Sequence, residues 1–208
     1  MPVNFDKIHD YLLSVTPRRD ATLSAMEAYA RRHGFPIIGP LVGRLLFQLA
    51  TAIDARSVLE LGSGYGYSAY WFSQALGKRG RIIMTDGDSH NRRLAEKYFA
   101  KGRVQTKYEY RVGDALEIVG DYGGPFDIIL NDIDKHAYPQ TIDLVAPRLR
   151  KGGLFITDNT IWSGRVCSRT RDKNTRGVVE FNRRMYADRR FFTTILPLRD
   201  GLTIGIRR

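Results

Sequence analysis

Apolar and polar positions follow two different rhythms along the chain, and the rhythm changes near residue 57. Before that point the spacing predicts only helices, over Phe5 to Val15, Thr22 to His33 and Leu41 to Ala52, with Gly34 to Pro40 (GFPIIGP) breaking the last two apart. After it, short apolar strands alternate with helical stretches. Ser57 to Leu61 reads as a buried strand and Tyr67 to Leu76 as a helix; Arg81 to Thr85 is a second strand, followed by a helix over Asp88 to Ala100 that Asp88 or Ser89 would cap. Lys107 to Val112 and Phe126 to Leu130 are further strands, His136 to Leu149 a helix, and Gly153 to Thr157 a fifth strand. Gly177 to Tyr186 is helical. Phe191 to Leu196 and Leu202 to Arg207 then form a hairpin around Asp200-Gly201. Strand–helix alternation of this kind predicts an α/β fold with a mostly parallel sheet between helices.

The length of 208 residues suits one domain, and 43% hydrophobic with 11% aromatic residues supplies a buried core. No apolar run is long enough to span a bilayer, and the polar stretch from Met1 to Asp20 lacks a signal-peptide core. With Cys167 as the one cysteine, no internal disulfide framework exists, so a cytoplasmic protein is expected. The formal charge of +11 raises the question of an anionic partner. Its cations come as scattered pairs, such as Arg18-Arg19, Arg92-Arg93 and Arg189-Arg190, rather than as one dense stripe, which argues against a dedicated nucleic-acid surface.

The first strand runs through Glu60 into Gly62-Ser63-Gly64-Tyr65-Gly66 and then into a helix. Glycines there admit a ligand close to the backbone, and a helix start offers free N–H groups. A dinucleotide turn wants glycine at its first, third and sixth positions; here the third glycine is at the fifth, and Tyr67 holds the sixth. Glu60 is also an unwelcome neighbour for a pyrophosphate. A nucleoside cofactor with a cationic amino-acid end fits better, and Asp86, ending the second strand, is placed for its ribose hydroxyls. Gly113-Asp114-Ala115-Leu116 ends the third strand, where an adenine ring would rest. These pieces in register point to S-adenosylmethionine (SAM).

Strand four ends in Asn131-Asp132-Ile133-Asp134-Lys135 and strand five in Thr157-Asp158-Asn159. Neighbouring parallel strands bring their carboxyl ends to the edge that holds the glycine turn. Asp132, Asp158 and Asn159 would offer three oxygen ligands, which suits a hard cation, Mg²⁺ first, with Ca²⁺ or Mn²⁺ as alternatives. The alternative is that one or two of these acids merely cap the helices that follow. Lys135 stands one helical turn after Asp132, either as a base beside the cation or in a salt bridge to Asp134.

Together these residues resemble the cation-dependent O-methyltransferases, the family of the catechol and caffeoyl-CoA enzymes. The likeness runs from about Arg18 to the C-terminus and is most specific at Glu60 to Ser68, Asp132 to Lys135, Asp158 to Val166 and Asp200-Gly201-Leu202-Thr203. It implies a Rossmann-like class I methyltransferase sandwich, with a seven-stranded sheet whose last strand is antiparallel and helices on both faces. Residues 57–208 would form that core, and the helices of residues 1–56 a lid and the face of a homodimer. Cofactor contacts would fall on Glu60, Gly62, Ser63, Ser68, Asp86, Ala115, Asp132 and Asp134, the metal on Asp132, Asp158 and Asn159, and the acceptor on Asp132, Trp162 and Ser163. Lys135 would be the base. The chain departs from the family over Ile37 to Arg44, where an Asp-Glu-Gly-Gln run preceded by a hydroxyl residue is usual; only Gly43 of that run is kept. Ile38 takes the place of the hydroxyl residue, so any cofactor contact there is through backbone.

The expected activity is therefore transfer of a methyl group from SAM to a hydroxyl of a small, catechol-like phenol chelated by a metal. A methyltransferase acting on nucleic acid is the alternative that the charge suggests, although the aromatic-proline motif usual after strand four in base-methylating enzymes is replaced by Asp132-Ile133-Asp134-Lys135. A nicotinamide-dependent dehydrogenase is disfavoured by the glycine spacing, and a non-enzymatic cofactor-binding relic by the intact acids and Lys135.

Overall fold

A computed structural model describes residues 5–169 and 171–208. Three helices come first: α1 (Phe5–Val15), α2 (Ala21–His33) and α3 (Gly39–Ala52). Asp20 starts α2 by accepting the N–H groups of Thr22 and Leu23 at 2.8 and 2.7 Å. α3 begins two residues before its apolar pattern does, because Pro40 sits in the first turn, where an N–H has no helical partner to lose. The alternating part follows as β1 (Ser57–Leu61), α4 (Tyr67–Leu76), β2 (Arg81–Asp86), α5 (Ser89–Lys101), β3 (Lys107–Val112), α6 (Ala115–Ile118), β4 (Phe126–Asn131), α7 (Tyr138–Val145), β5 (Leu149–Thr157), α8 (Lys173–Ala187), β6 (Phe191–Leu196) and β7 (Leu202–Arg207).

The seven strands form one sheet in the order β3-β2-β1-β4-β5-β7-β6. β1 to β5 pair in parallel, and β7 lies antiparallel between β5 and β6, as the family likeness implies. After β3 the chain crosses back to lay β4 on the other side of β1. The connections on either side of this reversal run to opposite faces, so the carboxyl ends of β1 and β4 border an open crevice.

Central strands are apolar on both faces, as parallel strands under helices must be. Val58, Ile82, Met84, Ile128 and Ile156 pack with Leu23 and Met26 of α2, Val42 and Leu46 of α3, Phe72 of α4 and Phe99 of α5. Leu59, Ile83, Ile129 and Phe155 face the other way, onto Tyr138 and Ile142 of α7 and Phe181 of α8. α2 and α3 thus share the main core. α3 docks on α4 through Gly43, where a Cβ would lie only 2.2 Å from the indole nitrogen of Trp71.

Three elements differ from the sequence reading by four residues at one end. The expected helix over His136 to Leu149 is an α-helix only over α7, flanked by 3₁₀ turns at Lys135–Ala137 and Ala146–Arg148, and Leu149 already belongs to β5. Pro139 and Pro147 mark both changes, since neither can donate to a preceding carbonyl. β5 begins four residues before Gly153, with a register shift opposite Phe126 and Ile128. α8 begins at Lys173 instead of Gly177, because the Asp172 carboxylate accepts the Thr175 N–H at 2.7 Å. No helix among the described residues is long and apolar enough to cross a membrane.

Candidate active site

The glycine turn after β1 is built by backbone shapes that side chains resist. Gly62, Gly64 and Gly66 have φ values of 81°, 50° and 82°, and a Cβ on Gly62 would come within 2.6 Å of the Asp132 carbonyl oxygen. β2 holds the turn in place: the Ser63 N–H donates to the Thr85 carbonyl at 2.7 Å, and the Gly64 N–H to Asp86 Oδ2 at 3.0 Å. The other Asp86 oxygen accepts the Asp88 N–H and the Asn91 amide at 2.9 and 3.0 Å. Asp88 itself caps α5 through the His90 N–H. Asp114 caps α6, leaving Gly113 to Leu116 along one wall of the crevice.

Glu60 lies beneath this turn. It is fully buried, and among the described residues no hydrogen bond reaches either carboxylate oxygen. Burial pushes its pKa up to about 7; the nearby hydroxyls of Ser68 and Ser63 draw it down without closing a bond of normal geometry, and Asp132 adds to the rise. A buried carboxylate left without a partner is expensive, which makes it a natural counterpart for a cationic ligand group.

The ends of β4 and β5 meet beside it. Asp132 Oδ1 pairs with Lys135 Nζ at 2.7 Å, so the salt bridge of Lys135 is to Asp132 and not to Asp134. Lys135 Nζ also donates to the Ile133 carbonyl at 3.3 Å and sits 5.4 and 5.8 Å from the ring centres of Tyr138 and Trp162. Asp158 is 1% exposed; its Oδ2 accepts from Arg199 Nη1 at 3.3 Å, while its Oδ1 is buried with no hydrogen-bond partner of normal geometry among the described residues. Burial and mutual repulsion push the Asp158 carboxyl up, and burial does the same to Asp132, against the pull of Lys135 and Arg199. Asn159 and Trp162 adopt positive φ of 56° and 51°, in a loop clamped by Asp200, which accepts the Asn159 amide at 3.2 Å and the Ser163 N–H. With its nitrogen committed to Asp200, the Asn159 amide oxygen is the atom left to serve as a ligand. Among the described residues no three His, Cys, Asp or Glu side chains are grouped to hold a metal. The donor set is two carboxylates and an amide, with one buried carboxylate oxygen orphaned, and these hard oxygen donors fit a cation such as Mg²⁺.

The glycine turn and the ends of β2, β4 and β5 border one cavity of about 700 Å³. Of the residues the sequence predicts, Gly62, Asp86, Ala115, Asp132, Asp134, Lys135, Asp158, Asn159 and Trp162 line it. Glu60, Ser63 and Ser68 do not; they are buried under the turn. Ser163 also lies off the cavity, tied to Asp200. Ile38 is 4% exposed, its side chain belongs to the core, and it lines a second cavity of about 410 Å³, while Phe35, Pro36 and Ile37 reach the main one. Arg199, Gln140 and Asn174 line the main cavity without having been predicted. Arg199 adjoins the Asp200-Gly201 pair, which the sequence marks as a turn and as part of the family likeness, without singling out Arg199.

A family model for O-methyltransferases matches residues 27–208. A catechol O-methyltransferase of Niastella koreensis is 29% identical over 97% of this chain and 97% of its own length. A caffeoyl-CoA O-methyltransferase of Petroselinum crispum is 30% identical over 96% of this chain and 90% of its own. Among solved structures, the O-methyltransferase TomG of Streptomyces achromogenes, in complex with SAM, superposes with a TM-score of 0.88 at 25% identity, covering 97% of this chain and 96% of that one.

Proposed function

Since the chain belongs to the O-methyltransferase family and is a SAM-dependent enzyme, we propose that its acceptor is a small catechol-like phenol, held by a divalent cation at Asp132, Asp158 and Asn159. The observation that carries this reading is the orphaned, buried Oδ1 of Asp158, next to Asp132 on the edge that also holds the glycine turn. When bound, the cation would chelate two vicinal oxygens and favour the ionised hydroxyl. The sulfonium methyl is already electrophilic, so the protein's task is mainly alignment for in-line displacement. Glu60 would meet the cationic amino-acid end of SAM from beneath the glycine turn, and Asp86 would meet its ribose. Lys135 would act as the base only as its neutral amine, having first given up the proton it carries in the ion pair with Asp132, and the Trp162 ring would wall the acceptor side. On α1, the exposed side chains of Ile8, Tyr11 and Val15 support a partner face on the N-terminal helices.

A methyl-transfer screen over vicinal diols and simple phenols, with Mg²⁺ and with excess chelator, tests the proposal. Turnover confined to vicinal diols and lost in chelator is expected. Asp158→Ala should remove metal-dependent turnover while SAM still binds; unchanged turnover in this variant would sink the metal and the acceptor class together.

A further inference from the structure

Arg199 is an unusual residue at an unusual backbone position. Its φ of +54° lies in the left-handed region that favours glycine. The turn cannot relax to relieve this. The Gly201 N–H donates to the Leu198 carbonyl at 3.0 Å, and the loop after β5 grips the turn through Thr160 N–H to Gly201 and Ile161 N–H to Asp200, at 3.0 and 2.9 Å. A Cβ on Gly201 would meet the Ile161 nitrogen at 2.6 Å, so the two segments are in close contact. Backbone strain of this kind persists only where the surroundings over-determine it, as the gripped turn does here.

That side chain runs past the start of α3, its Cδ and Nε 3.9 Å from the Cβ position of Gly39, and ends with Nη1 at 3.3 Å from Asp158 Oδ2. The guanidinium therefore pairs with one oxygen of the carboxylate that a divalent ion would need, and its field reaches Asp132 as well. Arg199 also lines the second cavity, beside Phe35 to Leu41, and 32% of its side chain is exposed. It has room to withdraw without unfolding the turn.

We propose that Arg199 is a resident cation of the carboxylate floor, competing with a divalent ion for Asp158, so that metal binds only as the guanidinium swings into the second cavity. The inference rests on the metal reading above and goes beyond it, because it makes metal affinity a property set by the hairpin turn. Two cations placed on one buried carboxylate repel each other strongly. A site that carries its own counter-ion binds metal more weakly than its ligands alone would.

The test is a Mn²⁺ titration of the purified full-length chain, reading free ion by electron paramagnetic resonance, with no turnover involved. Arg199→Gly suits the left-handed backbone and should bind Mn²⁺ at least about tenfold more tightly than the unmodified protein. Arg92→Ala, which removes an equal charge from the exposed Arg92–Glu96 pair on α5, should change nothing. Equal affinity in Arg199→Gly and the unmodified chain overturns the proposal, and so does an equal gain in Arg92→Ala. If both chains bind Mn²⁺ equally and Asp158→Asn abolishes it, the metal reading stands and only this inference falls. If no chain binds Mn²⁺ at millimolar ion, both fall.

Discussion

Glu60→Gln isolates a titration that the fold makes unfavourable. The folded pKa is raised from the ordinary 4.5 to about 7, chiefly by burial. A raised carboxylate pKa means the native state holds its proton more tightly than the unfolded chain does. Stability is then intact below about pH 4.5 and is lost progressively up to about pH 7. At 1.36 kcal/mol per pH unit the full loss is about 3 kcal/mol, of which roughly 2.5 falls between pH 5 and pH 8. Glutamine occupies the same volume and does not titrate. Without SAM, Glu60→Gln should thus melt close to the unmodified protein at pH 5 and roughly 5–10 °C above it at pH 8. Titrations that do not touch Glu60 cancel in the comparison; that of Asp132, which repels the Glu60 carboxylate, does not. Saturating SAM should reverse the ranking at pH 8, because only glutamate meets a cationic ligand end with charge. A melting difference that is the same at both pH values would refute the idea that Glu60 stands buried and unpartnered.

Two further perturbations follow from distances already given. Asp86→Ala removes the acceptor of the Gly64, Asp88 and Asn91 hydrogen bonds along with the proposed ribose contact, and should weaken SAM binding by about 10- to 100-fold in calorimetric titration. Gly43→Ala places a methyl group where Trp71 stands, and should lower stability by about 1–3 kcal/mol in thermal or urea unfolding while leaving the cofactor turn untouched.

The sheet was readable in the chain because its strands are short apolar runs closed by glycine or acid, and parallel order turns those closing residues into one edge. Glu60, Asp86, Asp132 and Asp158 could be placed by that rule alone, and the Asp88 cap by its position before a helical run. Residues whose role depends on a distant packing partner were not readable. Nothing local in Pro36-Ile37-Ile38 tells which isoleucine faces the crevice; α3 decides it by burying Ile38 in the core. Arg199 is hidden for the same reason: a hairpin turn shows its shape in sequence, but its grip on the loop after β5 spans about forty residues of chain. The over-long helix from His136 came from reading apolar periodicity through two prolines that should have limited it.

The insertion of β7 between β5 and β6 sets an order of events during synthesis. β6 leaves the ribosome before β7, yet among the described strands its one sheet neighbour is β7, so it has no ladder to join until β7 has emerged. The turn carrying Arg199 and Asp200 connects these two strands, and Asp200 is what steadies Asn159 and Ser163. A nascent chain that has completed β1 through β5 would have its glycine turn and both aspartates in hand but no fixed floor beneath an acceptor. Cofactor binding should therefore be gained earlier in translation than the capacity for transfer.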